Sequence, residues 1–237
     1  MSSLFSSDNP VFGALDQIVD LAWVSILWLV FSIPLVTIGA STTALYYTVT
    51  KVVRHHRGYI WREFWGSFKS NFKQSTLIWI LYLLAMIIFY VDIKVMGAMG
   101  NTAASALQYT FVVGMVMVTA VLFYALAYTA RFVQDVKHIL INSVLMSLRH
   151  LPKTLLLLLV AALAALGVYL MGLAFVLAPA IAAILDSMIL ESIFVRYMSE
   201  EDKEKENMRN HPEQYEYVNR KDEYLNKKDE NPDEDDE

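Results

Sequence analysis

Two carboxylates interrupt the last apolar run of the chain, "PAIAAILDSMILESIFVRY", at Asp186 and Glu191. An ionised carboxylate among apolar helical residues is costly. It is kept where it pairs, takes up a proton or faces a wet cavity. The two are five residues apart, about 140° around a helix, so they do not form the facing pair that acid–base catalysis uses. Two chemistries stay open. One is an ion pair with Arg131, Arg149 or Arg196, and the other is a proton or substrate pathway. Asp20 and Asp92 lie near the outer ends of their apolar runs, where water reaches them. The histidines are His55, His56, His138, His150 and His211, and none falls in a metal-ligand spacing such as HExxH. There is no cysteine, no phosphate-cradling glycine loop and no GxSxG nucleophile turn. The expectation is a non-enzymatic protein with no catalytic, cofactor-binding or metal residues.

The elements that must position these acids are long apolar segments. Hydrophobic residues make up 56% of the 237, and mean hydropathy is +0.41, beyond the range of ordinary soluble domains. A bilayer core about 30 Å thick is crossed by about 20 apolar helical residues. The runs predict an all-α integral membrane protein with five transmembrane helices, near residues 18–39, 76–98, 105–130, 154–174 and 177–197. The first run has neither the basic flank nor the cleavage motif of a signal peptide, so it is read as a retained span. Residues 1–198 form the membrane domain.

Charge sets the orientation. Eighteen of the 19 Lys and Arg lie in residues 51–73, 131–153 and beyond 195, and the other side holds only Lys94. Basic residues stay cytoplasmic, so five spans put the N-terminus outside and the C-terminus inside. The tail, residues 199–237, is strongly acidic and too polar to fold alone. It reads as a largely disordered cytoplasmic extension, and its acidity argues against nucleic-acid binding.

Two interruptions shape the N-terminal half. In "FSIPLVTIGASTTALYY", Pro34 removes a backbone hydrogen bond and should kink the first span. Gly39 either relaxes packing or ends the helix, and residues 40–57 are expected to continue helically toward the cytoplasm. In "YIWREFWGSFKSNFKQS", the residues Trp61, Phe64, Trp65 and Phe68, with Phe72, mark one face of a helix. Arg62, Lys69 and Lys73 lie mostly elsewhere. This predicts a cytoplasmic amphipathic helix in the membrane interface. Its aromatic face lies either on lipid and the chain's own helices or on a partner. A second such helix is expected near 135–150, because Ser67-Phe68-Lys69 aligns with Ser147-Leu148-Arg149, Lys73 with Lys153, and Lys51 with Arg131. The alignment suggests an internal repeat of about 80 residues. The small-residue stretch "AALAALG", residues 161–167, favours close helix approach.

The segments "IPLVTIGASTTALYYTVTKVVR" and "YIWREFWGSFKSNFKQS" resemble the YesL-like family of bacterial membrane proteins. The pattern is Pro34, Thr37 and Gly39, then Leu45, Tyr46 and Tyr47, then Asn71, Phe72, Lys73 and Gln74. It is specific over about residues 10–80. The family has no agreed biochemical activity. Its members commonly lie near genes for carbohydrate uptake in Gram-positive bacteria. The resemblance therefore implies a multi-pass protein of the cytoplasmic membrane, working as an accessory or scaffold subunit beside the permease subunits of an ATP-binding-cassette (ABC) sugar importer. A small transporter or channel in its own right is the alternative.

Overall fold

The structure is a computed structural model that describes residues 10–54, 58–170, 172, 176–198, 200 and 203. Among these residues the chain is all-helical, without strands. It divides into two units, residues 1–191 and 192–237.

In the first unit, α1 (Pro10–Ser32) ends just before Pro34, whose backbone is extended at ψ 113°. A 3-10 turn, Leu35–Thr37, leads into α2 (Ile38–Thr48). A π-helical turn, Val49–Val53, follows and closes with the Arg54 amide on the Val49 carbonyl at 3.0 Å. The chain is not merely kinked here, as the proline alone implied. It reverses. Trp28 Nε1 donates to Thr42 Oγ1 at 3.1 Å, and the Ser32 and Ser41 hydroxyls meet at 2.7 Å. On one continuous helix Trp28 and Thr42 would be about 21 Å apart. The π-turn also lies against α1, so α1 and α2 form an antiparallel hairpin. The small residues Ala40, Ser41 and Ala44 permit the fold-back. Val24 and Leu27 of α1 join Ala40, Ala44, Leu45, Val49 and Val52 in one buried cluster.

Gly58, at φ +82°, turns the chain into α3 (Ile60–Met99). The aromatic segment is thus not a separate interfacial helix, as expected. It is the first part of a helix that runs on through the 76–98 span. The linking residues Lys73, Gln74, Ser75 and Thr76 include no proline or glycine to stop it. Gly100, at φ +63°, and the Asn101 cap, whose side chain accepts from the Ala104 amide at 2.7 Å, reverse the chain into α4 (Thr102–Arg131). α3 and α4 pack as a long antiparallel pair. Then come α5 (Val136–Arg149), α6 (Leu151–Leu170) and α7 (Ala178–Phe194). α5 is the second expected amphipathic helix, separated from α6 by His150 alone. By that alignment α2 corresponds to the last part of α4, and the break at Pro34 has no counterpart inside α4, so the two halves of the suggested repeat differ there.

Three of these helices, α3, α4 and α6, are long and apolar enough to cross a membrane. Their outer faces carry large exposed apolar side chains, including Ile87, Val91, Val113, Leu155 and Leu163. α1 stops short of the expected residue 39 because Pro34 ends it, and α7 has 17 residues.

In the second unit, α7 runs out through a hydrogen-bonded turn, with the amides of Tyr197 and Met198 on the Phe194 carbonyl at 2.9 and 3.1 Å. Lys203 pairs with Glu200 at 2.7 Å. The rest of the acidic tail lies outside the described residues, as do His55, His56 and His211.

Candidate functional site

The two acids of α7 have different surroundings. Glu191 Oε2 lies 3.1 Å from Arg131 Nη2 at the end of α4, and both side chains are largely buried. Tyr46 of α2 donates its hydroxyl to Glu191 Oε1 at 3.1 Å. This carboxylate is therefore held by a cation and a phenol from two other helices. Of the three arginines considered, the structure brings Arg131 to it. Asp186 is only 7% exposed, and its Oδ1 accepts no hydrogen bond. Its neighbour Ser187 accepts from Arg54 Nη1 at 3.1 Å and donates to the Ile184 carbonyl at 2.7 Å.

Asp186 lines an apolar cavity of about 390 Å³. Trp28, Thr42 and Tyr46 form part of its wall, and Ala164, Ala165, Ala182 and Ala183 make room for it. The small residues of 161–167 thus open space rather than close a helix contact, and a Cβ at Gly167 would touch nothing within 4 Å. The other polar wall groups are already engaged. Trp28 Nε1 is bonded to Thr42, and the Tyr46 hydroxyl to Glu191.

The aromatic face of α3 is divided. Phe64 and Phe68 are buried beneath Phe31, with ring centroids 5.5 and 5.0 Å away. Trp61 and Trp65 are 52% and 44% exposed and stack 6.4 Å apart at 4°. Nearby, Lys51 Nζ bonds Glu63 Oε2 at 2.7 Å and the Tyr47 hydroxyl at 3.2 Å. Burial alone would lower the Lys51 pKa. The bonds to Glu63 and Tyr47 outweigh it and leave the ammonium above its ordinary range.

Pro34 and Gly39 mark the hairpin. Gly39 does not end a helix; it sits inside α2 at the crossing with α3. An added Cβ would stand 2.5 Å from the Ser75 carbonyl oxygen and 2.6 Å from Trp79 Cβ. Trp28, Thr42, Arg54 and Ser187 were not legible as site residues, since nothing in their spacing ties them to residues some 130 positions away. Tyr46 stood out only as part of the Leu-Tyr-Tyr pattern.

Long apolar helices, apolar outer faces and polar groups paired between helices define an all-helical membrane protein. Residues 21–93 match the model of the family described as "Protein of unknown function, DUF624". YesL-like proteins belong to that family, and the matched stretch covers about half of α1, all of α2 and most of α3. No curated protein and no solved structure matches the chain.

Proposed function

We propose that the chain is a non-enzymatic, multi-pass protein of the bacterial cytoplasmic membrane. It serves as an accessory subunit beside the permease subunits of an ABC carbohydrate importer. The basic ends of α3 and α4 face the cytoplasm, because ten Lys and Arg fall in residues 51–73 and 131–153 against Lys94 on the other side. The observation that carries the subunit role is the exposed Trp61–Trp65 stack. Phe31, Phe64 and Phe68 hold it from beneath, and exposed aromatic pairs on a rigid base are common anchors of interfaces. The sugar importer is the partner class implied by the family resemblance. Replacing Trp61 and Trp65 together with Ala should remove importer permeases from a mild-detergent purification while the protein stays in the membrane. Intact sugar uptake after deletion of the gene, with no importer component co-purifying, overturns the reading.

The cavity favours a second reading, a small transporter in its own right. Its one polar group without a partner is a carboxylate oxygen, so a fitting solute has an apolar body and a single donor, such as an amine. Purified protein in liposomes should then carry such a solute, and Asp186→Asn should abolish the flux. Liposomes that carry nothing refute it.

A further inference from the structure

We infer that the α1–α2 hairpin does not cross the bilayer but enters and leaves it on the same, basic side. Its tip is inserted among the acyl chains. The expectation of five crossings counted α1 as a span, and the hairpin removes that crossing.

The first observation is direction. α2 and the π-turn after it run from Gly39, packed on Ser75 and Trp79, to Lys51, paired with Glu63. α2 is therefore antiparallel to α3 and heads toward the basic end of that helix. α1 is antiparallel to α2, as the Trp28–Thr42 and Ser32–Ser41 bonds require. Both open ends of the hairpin thus lie toward Lys51 and Glu63. Its closed end lies beside Trp79, within the apolar part of α3.

The second observation is the chemistry of that closed end. Ile33 and Leu35 are 76% and 73% exposed, and Pro34 and Val36 are exposed beside them. Four consecutive apolar residues presented outward at a turn are unfavourable in water and favourable in hydrocarbon. Backbone outside a regular helix is tolerated at membrane depth only when its polar groups find protein partners. Here they do. The Thr37 hydroxyl lies 2.6 Å from the Phe31 carbonyl and 2.7 Å from the Pro34 carbonyl, and the Thr37 amide also reaches Pro34 at 2.8 Å. The Leu35 carbonyl accepts from Trp79 Nε1 at 2.8 Å. A turn exposed to water would need none of these side-chain donors. With them, the tip is dressed for lipid.

The third observation is that charge does not oppose this placement. Residues 1–50 contain no Lys or Arg, so the asymmetry that orients α3 and α4 leaves the side of α1 undetermined. The tip reaches Trp79, about one helical turn beyond Ser75, so the hairpin is a wedge in one leaflet. The partner of this surface is the acyl-chain layer itself.

The chain has no cysteine, so single cysteines report their side cleanly. Gln17→Cys sits on the exposed surface of α1 away from the tip, Lys69→Cys marks the basic side, and Ala103→Cys marks the α3–α4 turn. A membrane-impermeant maleimide is applied to intact cells and to inverted vesicles, and labelling is scaled to the total thiol reactive in detergent. Gln17→Cys should label together with Lys69→Cys and oppositely to Ala103→Cys. Labelling from the Ala103 side shows that α1 crosses and overturns the inference. Leu35→Cys should stay unlabelled from either side until detergent is added. A spin label there should be relaxed by oxygen more than by an aqueous nickel chelate. Ready aqueous labelling, or the opposite relaxation order, also overturns it. The comparison is between sites on one chain, so it is independent of the importer reading and of which face is cytoplasmic.

Discussion

Gly39→Ala should separate α2 from α3, and the size of the effect follows from three distances. The new Cβ would stand 2.5 Å from the Ser75 carbonyl oxygen, 2.6 Å from Trp79 Cβ and 3.2 Å from the Ser75 carbonyl carbon. Ordinary non-bonded contacts lie at about 3.5–4.0 Å, so the helices must part by about 1 Å. Neither obstacle is the free end of a flexible side chain; one is backbone and the other a Cβ. Four residues on, Thr43 and Ser75 share a buried hydroxyl bond of 2.8 Å, and an opening of that size breaks it. Overpacking costs about 1–3 kcal/mol and a lost internal hydrogen bond about 1 kcal/mol. Alanine returns at most about 1 kcal/mol of helix propensity. The net destabilisation is about 1–3 kcal/mol. For a chain of this length that lowers a melting midpoint by about 2–4 °C per kcal/mol. The assay is thermal unfolding in mild detergent, followed by circular dichroism or by loss of the monodisperse elution peak. Gly66→Ala is the internal control, because a Cβ there meets nothing within 4 Å; it should leave the midpoint unchanged or raise it. If Gly39→Ala melts at or above the unmodified protein, or above Gly66→Ala, the close crossing is not what holds α2 on α3.

Four further outcomes follow from the polar groups. Glu191→Gln leaves the buried Arg131 guanidinium without its counter-charge and should cost about 3–5 kcal/mol; Tyr46→Phe removes one hydrogen bond and should cost about 1 kcal/mol, both read from detergent melting midpoints. Asp186→Leu removes a buried acceptor that lacks a partner, beside a cavity that has room for the larger side chain, and should hold or raise the midpoint; a loss as large as that of Glu191→Gln would mean the acid is paired. Lys51 has a folded pKa above its ordinary 10.5, so its pair with Glu63 contributes fully below that value and fades as pH rises through the raised one. Stability attributable to the pair should be flat from neutral pH to about 10 and decline above that range. Lys51→Met should remove the decline at a cost of at most about 1 kcal/mol, because the lysine is about a third exposed.

How far the sequence could be read depended on how local each signal was. The apolar runs of α3, α4 and α6 were plain from composition, since length and hydropathy are properties of a segment alone. Pro34 was legible as a break, but its outcome was not. A kink and a reversal start from the same missing amide, and the choice depends on whether the residues after the break can pack backward. The small residues Gly39, Ser41 and Ala44 carried that information without saying which helix they would meet. The reverse held at 73–76, where no breaker residue separated two differently patterned segments and one helix resulted. Of the acids, both were visible as misfits in an apolar run. That Glu191 takes Arg131 while Asp186 faces the cavity depends on rotations of three helices, which no spacing along one of them contains. The aromatic face looked uniform at helical spacing. Its division into a covered half and an open half was decided by Phe31, a residue inside another apolar run.

The length of α3 sets a mechanical condition on the molecule. Forty residues of helix measure about 60 Å, twice the hydrocarbon thickness of a bilayer. One unbroken ladder of backbone hydrogen bonds therefore joins the Trp61–Trp65 stack to the Tyr82–Thr119 contact with α4, at 3.3 Å, and on to the turn at Gly100. Such a rod has no joint at which a load applied to one end can be absorbed. Leaning it by 5° about its midpoint moves each end by about 3 Å, enough to make or break a hydrogen bond at the α3–α4 turn. Whatever rests on the two tryptophans is thereby geared to the far end of α3, at the Gly100 turn.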